Sequence, residues 1–143
     1  MNLENLKKVL EEGGFVDRRI LERVEKEIAL AGGTLSKALV QQGHVSPEAM
    51  ATVLGFAFNL RIIDLRKVKP SPEALLLIPK NIAEKYNILP FSIERGILNL
   101  VVEEPVDEKT LNLLRAESKM PVQQAISFHG ESDIKMKIQE IYE

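Results

Sequence analysis

The stretch LKKVLEEGGFVDRRILERV, residues 6–24, returns 29 positions later as LSKALVQQGHVSPEAMATV, residues 35–53. Most letters differ, yet matched positions keep one role each. Leu6 and Leu35, Leu10 and Leu39, Val16 and Val45, Leu21 and Met50, and Val24 and Val53 are apolar and recur at helical spacing. Gly14 and Gly43 are helix stops, since the residue past a helix end often takes a left-handed conformation that glycine tolerates. Asp17 and Ser46 are caps whose side-chain oxygens can accept from the next helix, and Pro47 suits a first helical position. Each copy therefore reads as a helix, a glycine turn and a capped helix. One helical hairpin cannot bury its apolar stripe alone, so two packed together make the smallest stable unit. The competing account is a generic four-helix cluster with chance coincidences of Leu and Gly; it leaves the agreement of all seven pairs unexplained.

Outward from the repeat, Leu3 and Val9 complete the apolar face of the first helix. Ile20, Leu21, Val24, Ile28 and Ala31 form that of the second, which Gly32-Gly33 stops. Arg61 to Leu65 is a β-branched connector, and Lys67 to Pro72, with the two prolines Pro70 and Pro72, reads as a linker. We place a tandem helical repeat in residues 1–66 and a small α+β unit in residues 67–143. In the latter, Ser71-Pro72 caps a helix over 73–77 and Pro79 opens another through Ile82, Ala83 and Tyr86, ending at Asn87. Periodicity then alternates over 88–93 and 97–102, two strands of a hairpin across Glu94-Arg95-Gly96 with the glycine supplying a positive φ. Asp107 caps a helix with Leu111, Leu113 and Leu114 inside, residues 121–128 form a third strand, and Ser132 or Asp133 caps a last helix bearing Ile134, Ile138, Ile141 and Tyr142. The predicted fold class is α+β: about four repeat helices, then an α-α-β-β-α-β-α unit with a three-stranded sheet.

Composition narrows the function. Nineteen basic against twenty-one acidic residues, net charge −2, supply no cationic tract for a phosphate backbone, so nucleic acid is excluded as a partner. Cysteine is absent, which removes disulfides and thiolate metal sites. Residues 1–12 alternate charge with Leu, and no apolar run reaches the ~20 residues that span a bilayer; the expectation is a cytoplasmic protein without direct membrane insertion. Neither a glycine-rich, lysine-terminated phosphate loop nor a dinucleotide fingerprint is present. His44 and His129 each sit alone in a turn, read as solvated rather than metal-binding. The carboxylate groups Glu11-Glu12, Glu25 with Glu27 and Glu103-Glu104 read as solvated helix faces and loop ends, with Glu103-Glu104-Pro105 a strand terminator. No catalytic residue, metal or cofactor is predicted, and the chain is expected not to be an enzyme.

In the order of these elements the chain resembles a known family, the amino-terminal (MshEN-type) domain of the ATPases that power type II secretion and type IV pilus assembly. The resemblance rests on the tandem Leu-x-x-x-Leu-x-x-x-Gly units and on residues 58–65, ending in Asp64-Leu65. It continues through residues 74–79, residues 88–91, residues 98–102 and Glu104-Pro105-Val106-Asp107. It implies a docking platform for a secretion or pilus assembly protein, such as the cytoplasmic part of an inner-membrane component. The motor that follows such domains is not within these 143 residues.

Some members of the family bind cyclic di-GMP through two motif copies opening Arg-Leu-Gly and closing in Gln. Here the first copy reads Asn5-Leu6-Lys7 and closes at Ile28; the second reads Thr34-Leu35-Ser36 and closes at Ala57. The frame residues Leu6, Leu10, Gly14, Leu35, Leu39 and Gly43 persist. An arginine fork can pair bidentately with phosphate or stack on guanine, and neither Asn nor Thr can. Lys7 obstructs the close backbone approach that glycine allows. The resemblance therefore implies a protein-interaction module in which cyclic di-GMP is not expected to bind. The alternative is a nucleotide sensor that uses Arg18, Arg19 or Arg61 instead.

Overall fold

In the computed structural model, which describes residues 3–67, 69–127 and 134–142, the two glycine stops close their helices by the same bonds. Helices α1 (Leu3–Glu12) and α3 (Leu35–Gln41) lead to glycines with φ of +74° at Gly14 and +79° at Gly43. Past them, the Phe15 amide donates to Leu10 O and the His44 amide to Leu39 O, the return that satisfies carbonyls a helix end leaves open. Helices α2 (Arg18–Ala31) and α4 (Pro47–Phe58) open on the expected caps. The Asp17 carboxylate accepts from Arg19 N at 2.8 Å, and the Ser46 hydroxyl from Ala49 N at 3.1 Å.

Burial obeys the repeat. All five apolar pairs are buried, with Leu10 and Leu39 both 0% exposed. Of the other expected inner residues, Val9, Ile20 and Ile28 are partly buried against this core, and Ala31, in the last turn of α2 beside the glycine stop, is exposed. Packing exchanges partners between copies: α1 lies on α4 and α2 on α3. The opening helix of each copy is thus covered by the closing helix of the other, which is why neither hairpin suffices alone.

The second half runs α5 (Pro72–Leu77), α6 (Lys80–Tyr86), β1 (Ile88–Glu94), β2 (Ile97–Val102), α7 (Glu108–Ser118), β3 (Val122–Ile126) and α8 (Ile134–Ile141). Among the described residues this is the expected α-α-β-β-α-β-α order with one three-stranded sheet, β1-β2-β3. Strands β1 and β2 are antiparallel, and β3 returns parallel to β2 after the α7 crossover. Pro90 lies on the edge strand β1, where a missing amide costs no ladder bond, and a register irregularity follows between Pro90 and Ser92. From Leu98 to Val102 every residue of β2 is buried, as expected of a strand covered on both faces. The phenol of Tyr142 donates to Ile78 O at 2.9 Å, tying the end of α8 to the α5–α6 junction, and burial pushes its pKa up to about 12.

Three local expectations change. The hairpin loop is the two residues Arg95-Gly96, both with positive φ, +54° and +75°, the pattern of a type I′ turn, whose backbone twist matches that of the flanking strands. Leu113 is 42% exposed while Leu111 and Leu114 are buried, since positions 111 and 114 share a helix face that 113 leaves. The 61–65 connector joins the sheet: Ile62 bridges Ile126 in parallel, with Ile63 N donating to Ile126 O at 2.8 Å and Ile126 N to Arg61 O at 2.9 Å. Gly55 permits that approach, for a Cβ there would lie 2.9 Å from Leu60 O. The expectations for His129, Phe128 and the Ser132 or Asp133 cap lie outside the described residues.

Arg95 carries a side chain in a conformation that L-residues other than Asn, Asp and Gly adopt at a cost of ~1–2 kcal/mol. Arg95→Asn, which restores the favoured Asn-Gly turn, should therefore raise the unfolding free energy by about 0.5–1 kcal/mol. Urea melts of the two proteins check this; an unchanged or lower midpoint means the turn stores no such strain.

Candidate functional site

The repeat brings the two motif copies together crosswise. Asn5, which opens the first copy, donates from Nδ2 to the carbonyl of Ala57, which closes the second, at 2.6 Å. Leu6 and Ile28 of the first copy face Leu35 of the second, with Leu54 and Phe58 of α4, around a pocket of about 300 Å³. Its polar side is made by Thr34, Ser36 and Glu104.

Glu104 is the residue that sequence reasoning misplaced. It is half-buried rather than solvated, and it comes from the other half of the chain. The Thr34 hydroxyl lies 2.6 Å and 2.7 Å from its two carboxylate oxygens, and the Ser36 hydroxyl also donates to Oε1. Burial pushes its pKa up, against the lowering effects of the Thr34 bond and the Lys37 charge. Its neighbour Glu103 is 6% exposed and accepts at 3.2 Å from Ile134 N, the first residue of α8. Val106 N donates to Gln124 Oε1 of β3 at 2.7 Å. The segment read as a strand terminator is thus a junction tying β2 to α8, β3 and the helical repeat. No local signal marked it, because the donors that meet these two carboxylates lie on elements far along the chain.

The other motif positions are also engaged. Lys7 Nζ lies 3.1 Å from Glu4 Oε1 and 3.1 Å from Glu25 Oε2, and these bonds, Glu4 first, raise its pKa above the ordinary lysine value. The frame residues Leu10, Gly14, Leu39 and Gly43 build the hairpins and do not border the pocket. Arg18, Arg19 and Arg61 do not border it either: Arg18 lies 3.6 Å from Glu11, and Arg61 pairs with Glu94 at 3.0 Å. His44 Nε2 is 3.1 Å from Arg23 Nη2. Among the described residues no group of acids and histidines is arranged to hold a metal ion.

The family model for the MshEN domain matches residues 58–143, more than half of the chain. The chain belongs to the MshEN domain family. Its similarity extends to the type IV pilus assembly ATPase PilB of Thermus thermophilus, 31% identical over 88 residues, which are 62% of this chain and 10% of that protein. The chain thus spans about a tenth of the length of that relative. Among solved structures, that of MshE with cdg superposes with a TM-score of 0.81 at 21% identity, covering 96% of this chain and 98% of that one. The N-terminal domain of XpsE gives 0.73 at 20% identity, covering 94% and 92%. Both establish that this MshEN domain has their fold, including the repeat half that precedes the segment matched by the family model.

The site's internal bonds carry a test of their own. Removing the acceptor in Glu104→Ala leaves the hydroxyl of buried Ser36 short of a partner, and we expect a loss of about 1–2 kcal/mol. Glu104→Gln keeps an acceptor and removes the buried charge. Because the folded-state pKa of Glu104 is raised above the ordinary glutamate value, its contribution to stability is full below that unfolded value and is lost as pH rises through the folded value. The Gln variant should match the native protein in acid and exceed it at pH 7. Thermal melts across that range decide; a Gln variant less stable at pH 7 means that the ionised carboxylate stabilises the fold.

Proposed function

We propose that this MshEN domain is a non-catalytic docking and regulatory module of a bacterial type II secretion or type IV pilus assembly system, acting in the cytoplasm on a segment of an inner-membrane component. The observation that carries the reading is the internal engagement of the four motif positions: Asn5 with Ala57, Lys7 with Glu4 and Glu25, and Thr34 and Ser36 with Glu104. Groups that would meet an anionic dinucleotide are taken up by the fold, and a carboxylate stands among them. Membership of a family with secretion and pilus relatives supports the system assignment, and no helix among the described residues is long and apolar enough to cross a membrane. In this reading residues 1–66 present the docking surface and residues 67–143 relay its occupancy.

A second reading, a cyclic di-GMP sensor, is favoured by the likeness to MshE with cdg. The engaged motif positions weigh against it. The deciding experiment co-expresses the domain with the cytoplasmic segments of the inner-membrane proteins of its own secretion or pilus system and measures complex mass by light scattering. A stoichiometric complex with one of them is the expected result; monomers throughout, with calorimetric binding of cyclic di-GMP, would establish the sensor instead.

A further inference from the structure

The pocket between the motif copies has one chemical character on its walls and another at a single point. Leu6, Ile28, Leu54, Phe58 and Pro105 make it apolar, and among the described residues Glu104 is the only ionisable group on its lining. At about 300 Å³ it stands at the small end of ligand pockets, with room for one long side chain. Glu104 also retains acceptor capacity: a carboxylate offers about four lone-pair sites, Ser36 donates to Oε1, and among the described residues Oε2 meets only the proton of Thr34 that it shares with Oε1. Lys37 bears on Glu104 through space but does not line the pocket.

We propose that this pocket receives an arginine or lysine side chain presented by the docking partner, its methylene stem against the apolar walls and its cationic head on Glu104. The inference rests on the docking reading and adds to it the site and the recognised chemistry. Long cationic side chains bury their stems against apolar surface while the head seeks a charge. A half-buried carboxylate rewards a cation with a charge-assisted hydrogen bond stronger than a neutral one, and the ring of Phe58 adds a face for the same charge. An anion meets the opposite: Glu104 repels it, and Thr34 and Ser36 already donate elsewhere.

The test titrates the intact protein, with leucine and isoleucine methyls isotopically labelled, with n-butylguanidinium and separately with n-butylurea, its neutral counterpart of the same shape. Saturable shifts are expected at the methyls of Leu6, Ile28 and Leu54, with the guanidinium binding at least about tenfold more tightly than the urea. Glu104→Gln should erase that preference. Phe58→Leu, which leaves the carboxylate intact, should reduce it several-fold. Equal affinities for the two probes, no saturable shift at these methyls, or a preference that survives Glu104→Gln overturns the proposal. Failure of the docking reading is seen separately: if the native domain forms no complex with any cytoplasmic segment, that reading falls. If it forms one that Glu104→Gln leaves unweakened, docking stands and the cation pocket falls.

Discussion

Leu21→Ala and Met50→Ala are each expected to lower the unfolding free energy by about 2–5 kcal/mol, the range for truncating a large buried side chain where the surroundings only partly collapse. The two residues occupy one position of the repeat, in α2 and α4, and are 3% and 0% exposed. Both side chains belong to one continuous core, so each truncation should be costly by itself. Glu25→Ala, which removes only a surface partner of Lys7, should change little. Urea melts with a common slope measure all three. Two neutral truncations would mean that positions 21 and 50 are not equivalent parts of a repeated core.

The second large effect concerns cyclic di-GMP. Calorimetry on the unmodified domain should show no binding at micromolar concentration. Two missing bidentate arginine contacts, each worth roughly 1.5–3 kcal/mol, amount to about two to four powers of ten at ~1.4 kcal/mol per decade. Restoring the motif takes Asn5→Arg, Lys7→Gly, Ile28→Gln, Thr34→Arg, Ser36→Gly and Ala57→Gln. The structure adds a seventh change, Glu104→Gln, because its carboxylate lies in hydrogen-bond range of both position 34 and position 36. The sixfold variant should therefore remain weak and the sevenfold one recover measurable affinity. Micromolar binding by the native domain would sink this account and place the sensor reading first.

How much of this was legible beforehand varied with the range of the interaction. The hairpins were, because Gly14 and Gly43, Asp17 and Ser46 act on backbone groups within a few residues. The sheet order was only partly so. Alternation marks a strand but does not say which neighbour it takes, so the parallel return of β3 and the bridge at Ile62 had no local sign. At Arg95 a lone glycine was expected to suffice, and the turn drew a second residue into the left-handed region. The candidate site was least legible. Its motif positions could be found by counting, but their present partners lie far along the chain: Ala57 is 52 residues from Asn5, and Glu104 is 70 from Thr34.

By itself, then, the amino-acid order determined which segments are helices and strands, where each helix stops, which faces are apolar, and that two copies of one hairpin had to cover each other. Those properties follow from backbone sterics, capping and periodicity, all of which act within a turn or two of chain. Tertiary structure alone decided that α1 lies on α4 and α2 on α3, that Glu103 is buried against the start of α8, and that Glu104 turns into the pocket between the motif copies. A carboxylate's environment is set by which donors and apolar walls surround it in space. Two adjacent acids read as solvated along the chain can therefore become, once folded, the acceptors that join its two halves.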